Sequence, residues 1–208
     1  MPEPRPTIDT AAFSLEFSQG GAPVSWAEVF GNDHPVELEV GSGKGLFLAN
    51  AAAARPGHNF LGVELSRKYA RSAVERVAKR RLGNVRVVAG DARLFLARSV
   101  PPASLRAVHV YFPDPWWKAR HKKRRVFCDP LVADVGRGLE PGGDLWVATD
   151  VEEYFGVIRD LMAGHPRFQE RPFPEPKTPE HELDYLTNFE RKYRIEGRPI
   201  YRVRYGLS

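Results

Sequence analysis

Val36-Glu37-Leu38-Glu39-Val40-Gly41-Ser42-Gly43-Lys44-Gly45-Leu46 sets a strand-length run against three alternate glycines, and Leu46–Ala54 then reads as a helix. A strand that turns through glycines into a helix is the opening unit of an open α/β sheet. The same alternation continues downstream. Phe60–Val63, Val85–Val88, Ala107–Phe112 and Leu145–Ala148 read as strands, and Ser66–Leu82, Ala92–Ala97 and Pro130–Leu139 as helices. Short links between them predict a parallel sheet covered on both faces.

Local chemistry marks several helix ends. Ser66 is placed to cap a helix whose apolar face is Ala70, Ala73, Val74, Val77 and Ala78, with Gly83 as its stop. Asp129-Pro130 reads as an N-cap followed by proline in the first turn. Asp150 and Glu153 have capping-box spacing and predict a helix through Met162. The proline-rich stretch Pro166–Pro179 reads as a loop, and Ile200–Tyr205 alternates as a half-exposed strand. Residues 1–34, rich in Pro and Gly, read as a tail or accessory segment ahead of a single domain over 35–208.

The chain has 208 residues and a net charge of +5, a surplus that suits a polyanionic partner. Cys128 is the one cysteine, so no internal disulfide forms, as expected in a reducing cytoplasm. No signal peptide or membrane span is expected. The six histidines show no metal-ligand spacing, so no metal is expected.

The glycine bend has three competing readings. A phosphate-binding loop needs Ser or Thr after Lys44, where Gly45 stands. A dinucleotide fingerprint needs its third glycine where Leu46 stands. The remaining pattern, acid-x-Gly41-x-Gly43-x-Gly45 with Glu39 as the acid, resembles the first motif of S-adenosylmethionine-dependent methyltransferases. Glu64 closes the second strand where an acid can accept ribose hydroxyls, and Asp91 closes the third near an adenine edge. The plainer alternatives are a solvated strand end for Glu64 and a helix cap for Asp91. Glu39 lies in a strand expected to be buried on both faces, so its carboxylate needs a partner.

Tyr111-Phe112-Pro113-Asp114-Pro115-Trp116-Trp117 follows the fourth strand, and six of the eight residues from Lys118 to Arg125 are Lys or Arg. Two prolines stiffen Asp114, aromatics wall a flat base, and the cations suit phosphates. Taken with Thr187-Asn188-Phe189-Glu190, this stretch resembles the bacterial tRNA (guanine-N7-)-methyltransferases over roughly Glu37 to Tyr205.

The resemblance implies a doubly wound, mostly parallel seven-stranded sheet of the Rossmann-like methyltransferase class, using S-adenosyl-L-methionine on tRNA. It implies cofactor contacts at Glu39, Gly41, Gly43, Gly45, Glu64, Asp91 and Asp114. Substrate contacts are implied at Lys118, Asp150, Thr187, Asn188, Phe189 and Glu190, with Asp114 central to catalysis. RNA contacts are implied at Arg120, His121, Lys122, Lys123, Arg124 and Arg125, in a monomer or homodimer. The arginine-rich segment that many members carry before the first strand is missing. On local pattern alone, Asp150 and the pair Thr187 and Glu190 read equally well as helix caps. An amino-group methyltransferase, an RNA-binding protein without catalysis and a nicotinamide-dependent oxidoreductase are the alternatives.

Overall fold

The computed structural model describes residues 9–17, 22–116, 118, 120, 125–174 and 187–208. Five strands are parallel: β1 (Val36–Val40), β2 (Asn59–Glu64), β3 (Val85–Ala89), β4 (Leu105–Tyr111) and β5 (Leu139–Thr149). β7 (Tyr201–Leu207) inserts antiparallel between β5 and β6 (Phe168–Arg171), giving the order β3-β2-β1-β4-β5-β7-β6. The chain winds outward from β1 in one direction and from β4 in the other. A crevice therefore opens between β1 and β4 at their C-terminal ends, where doubly wound sheets bind ligands.

Two layers of helices bury the sheet. α2 (Leu46–Ala54) and α3 (Arg67–Lys79) share one apolar cluster with Phe60, Val85 and Tyr111. On the other face, α1 (Trp26–Phe30), α4 (Ala92–Ser99), α5 (Asp129–Gly138) and α6 (Glu152–Ala163) pack against Val36, Leu38, Val40 and Val108. α2 is apolar on nearly every side because the sheet covers one flank and α3 the other. Gly45 makes that closeness possible: its φ is +70°, and a Cβ there would lie 2.8 Å from the Cβ of Ala73. Phe30 is buried in the second cluster, and Trp26 donates Nε1–H to Ser104 Oγ at 3.0 Å, so residues 22–34 include core contacts. No helix among the described residues is long and apolar enough to cross a membrane.

Several element ends differ from expectation. α3 stops at Lys79 in a Schellman turn, with Leu82 N–H bonded to Val77 O and Arg81 N–H to Ala78 O. The left-handed residue is Arg81 at φ 52°, not Gly83, because burial of Leu82 fixes where the turn closes. Cys128, not Asp129, occupies the N-cap of α5 and has no side-chain cap bond; Asp129 and Pro130 already lie in the first turn. Val151 occupies the N-cap of α6, because the Asp150 carboxylate is drawn to Arg198. Within Pro166–Pro179, Phe168–Arg171 forms β6, since β7 offers it a free edge; residues 175–179 lie outside the described residues.

Side-chain alternation puts Glu37 of β1 and His109 and Tyr111 of β4 on the α2 face, where they form a buried chain. Tyr111 O–H donates to His109 Nδ1 at 2.8 Å, and His109 Nε2–H donates to Glu37 Oε2 at 2.8 Å. The other Glu37 oxygen accepts from Arg55 and from His58 Nδ1. Burial lowers the His109 pKa below its usual value, so a neutral imidazole bridges the two. Burial alone would raise the Glu37 carboxyl, but hydrogen bonds and charge from His109, Arg55 and His58 bring it from 4.5 down to about 2.

The folded state therefore holds fewer protons than the unfolded chain between those values. The stabilisation is present above pH 4.5 and is lost as pH falls toward 2. Chemical denaturation should show wild type losing about 3 kcal/mol more than Glu37→Gln between pH 5 and pH 2. Parallel curves for the two proteins would contradict the assignment.

Candidate functional site

The bend after β1 is built from left-handed backbone that favours glycine: φ is +74° at Gly41, +54° at Gly43 and +70° at Gly45. Its amides point into the protein. Gly41 N–H and Ser42 N–H donate to Val63 O, Gly43 N–H to Glu64 Oε2 at 2.8 Å, and Gly45 N–H to Ser42 O. A phosphate cradle needs such amides free. This bend also carries carboxylates at its back, so it suits a ligand rich in donors or positive charge.

Glu64 is buried at the end of β2, which excludes the solvated strand end, and its second oxygen accepts from Ser66 N–H at 2.8 Å. It clamps the glycine bend to the start of α3, and each oxygen keeps a further lone pair. Glu39 is 3 % exposed, and its Oε2 has no hydrogen-bond partner among the described residues; the same is true of Ser42 Oγ. Burial first, and then the negative charge of Glu64, raise the Glu39 carboxyl well above 4.5. No Cβ added at Gly41 or Gly43 would meet an atom within 4 Å. An orphaned buried acid, an open cradle and a second acid together fit a nucleoside with a cationic amino-acid end.

Asp91 caps α4, its carboxylate accepting from Arg93 N–H at 2.9 Å, and stays partly exposed at the same edge. Beyond β4, Phe112 and Trp116 bracket the Pro113-Asp114-Pro115 turn with left-handed backbone at φ 52° and 42°. For bulky residues this is strained, and such strain concentrates at functional sites. Phe112 N–H anchors to Ala148 O at 2.7 Å, and Arg125 closes the turn by donating Nε–H to Pro115 O at 2.7 Å. Arg125 is half-buried, its guanidinium also lying over the Tyr154 ring. Asp114, Lys118 and Arg120 are exposed, and His121, Lys122, Lys123 and Arg124 lie outside the described residues.

α7 (Asn188–Ile195) comes to rest beside this turn, with the Phe112 ring 6.2 Å from Phe189 and 5.5 Å from Tyr193. Thr187 caps α7 by accepting from Glu190 N–H at 3.0 Å. Glu190 is buried and accepts from Arg202 at 2.7 Å, whereas Asn188 and Phe189 are exposed. Asp150 pairs with Arg198, whose guanidinium lies 4.2 Å from the Tyr193 ring centroid. Sequence reading missed Arg198, Tyr193 and the His109 chain. The signal for the last was available: His109 and Tyr111 have the same parity as Glu37 and Glu39 once the strands are registered.

A family model described as "Putative methyltransferase" matches residues 33–203. A tRNA (guanine-N(7)-)-methyltransferase of Rhodopirellula baltica is 42 % identical over 98 % of this chain and 77 % of its own length. One from Geobacter metallireducens is 36 % identical over 94 % of this chain and 93 % of its own. Among solved structures, the 16S rRNA methyltransferase KamB superposes with a TM-score of 0.61 at 16 % identity, covering 88 % of this chain and 92 % of that one. That likeness shows the fold alone.

Because the Glu39 carboxyl holds its proton more tightly in the folded chain than in the unfolded one, this group weakens stability as pH rises above 4.5. Glu39→Gln removes the penalty. Thermal melts of the free protein at pH 7 to 8 should show the variant at least as stable as wild type. Isothermal titration should show its affinity for S-adenosylmethionine reduced tenfold or more. A less stable variant with unchanged affinity would reverse both assignments.

Proposed function

The chain belongs to the tRNA (guanine-N(7)-)-methyltransferase family, and we propose that it transfers a methyl group from S-adenosyl-L-methionine to N7 of a guanine in the variable loop of tRNA. The observation that carries this reading is the unpartnered, buried Glu39 behind an open glycine bend, at the same sheet edge as the strained Asp114 turn. We place its action in the cytoplasm, where a chain with one unpaired cysteine remains reduced.

Bound at the bend, S-adenosylmethionine supplies a methyl group on a cationic sulfur. Glu39 and Ser42 accept from its amino-acid end. Glu64 offers its remaining lone pairs to the ribose hydroxyls, and Asp91 stands at the adenine edge. Guanine N7 carries a free lone pair, so no proton has to leave before attack, and the enzyme's task is alignment and electrostatic support. Asp114 accepts from the guanine N–H groups and favours the ring as it becomes cationic.

Two rings, Phe112 and Phe189, flank that turn and suit a flat base. Thr187 and Glu190 are engaged by the helix start and by Arg202, so the substrate contacts of this segment fall to Asn188 and Phe189. Asp150 meets substrate through the lone pairs that Arg198 leaves free. Lys118, Arg120 and the run through His121, Lys122, Lys123 and Arg124 hold phosphates. Arg125 holds the turn.

Methyl transfer to unmodified tRNA, with the product nucleoside identified by mass, tests the reading. Asp114→Ala should lower turnover by about 10²–10³-fold, and tRNA affinity by less than about threefold. Substituting 7-deazaguanine at the target should abolish transfer. Transfer to the deaza substrate would assign the methyl to another atom and refute the N7 chemistry.

A further inference from the structure

Two stretches hold all of the chain's positive excess. The run from Lys118 to Arg125 carries six cations, and Arg67 to Arg81 carries seven cations against one carboxylate, Glu75; the rest of the chain is net negative by 7. The second stretch is α3 and the turn that ends it, and nothing in the reaction above uses it.

Its charges are poorly placed for the helix itself. Arg67 and Lys68 stand in the first turn of α3, where the macrodipole is positive, and that turn has no acidic residue. Cations there oppose the dipole. Both are exposed and form no ion pair among the described residues, and Arg71 meets only Glu75 at 3.1 Å. Arg67, Arg71 and Lys79 also line a groove of about 1170 Å³ between α3 and the extended segment that holds Ser14 to Phe17, with Glu16 and Glu75 as its acids.

The position of α3 gives these charges a use. β2 and β4 flank β1, so the strand ends that lead into α3 and into the Asp114 loop stand about 10 Å apart across the crevice. From that rim, the 13 residues of α3 run back for about 20 Å. We propose that the exposed cationic face of α3, led by Arg67, Lys68 and Arg71, is a second phosphate-binding surface that holds the RNA backbone on the β2 side of the crevice. The loop after β4 holds it on the other side. This rests on the tRNA reading above and extends it, because a polynucleotide gripped at both rims cannot pivot about the target base.

The test compares wild type with Arg67→Ala/Lys68→Ala/Arg71→Ala in titrations of unmodified tRNA from about 50 to 300 mM salt. Kd should rise tenfold or more near 0.15 M salt, and the slope of log K against log salt should become shallower by about 2–3, at 0.7–0.9 per cation removed. Turnover at saturating tRNA should stay within twofold, with S-adenosylmethionine affinity unchanged. The melting temperature should hold or rise, since two misplaced charges leave the helix start. Unchanged tRNA affinity and slope would overturn the proposal, as would a fall in melting temperature with tRNA binding intact. Loss of binding to anionic vesicles alone would overturn it in favour of a membrane surface. If the triple variant does not fold, Lys68→Glu, which favours the helix dipole, should show several-fold weaker tRNA binding without lower stability. Failure of the wild type to methylate tRNA would refute the parent reading, whereas wild-type methylation with unaltered variant binding would refute this inference alone.

Discussion

A buried carboxyl group with no hydrogen-bond partner among the described residues, that of Glu39, governs this structure. β1 is an inner strand, covered on both faces, and carries Glu37 and Glu39 two residues apart on the same side. The two meet opposite fates. Glu37 is ringed by His109, Arg55 and His58 and ionises readily, which ties β1 to β4 and to the end of α2. Glu39 has no such ring, and Glu64 sets a like charge near it. A buried acid in this setting is a standing cost to the fold, and a cationic ligand relieves it. One strand thus carries a structural acid and a binding acid, separated by the completeness of their partners.

The bend follows from the same constraint. An acid at the tip of an inner strand is useful only if the chain clears the space above it at once. Gly41, Gly43 and Gly45 do this through backbone that a side chain would strain. Gly62 continues the clearance on β2, where a Cβ would lie 2.4 Å from Leu48 and 2.8 Å from Ser42 Oγ. Glu64 then fixes the bend from below, joining Gly43 to Ser66 and so to α3. Movement of α3 would disturb the bend through that clamp.

Legibility in the sequence divided by range. β1 and α2 have the bounds that pattern alone predicts, because periodicity, glycine and burial agree within 19 residues. Ser66 and Asp91 cap their helices through bonds two or three residues long. The failures need distant partners. Asp150 leaves its capping role for Arg198, 48 residues on, and the Glu37 to His109 contact spans 72. β6 exists because β7 offers it an edge, which a proline-rich local pattern does not reveal. At the site, the glycines and acids were legible as residue types at strand ends. The engagement of Glu190 with Arg202, which leaves Asn188 and Phe189 to face outward, needed the fold.

The strained turn after β4 shows why the site needs its remote supports. Left-handed backbone at Phe112 and Trp116 costs about 1–3 kcal/mol each, which the surrounding contacts must offset. Phe112 is held by the hydrogen bond from its N–H to Ala148 O of β5 and by the rings of α7, and Pro115 by Arg125. α7 is itself fastened to the sheet by Glu190 with Arg202 and by Asp150 with Arg198. Asp114 is exposed and forms no hydrogen bond or ion pair among the described residues, so the turn that carries it is set by these neighbours rather than by any bond of its own. A group held that way stays available to a substrate while remaining in place, which an acid already bonded to the protein would not do.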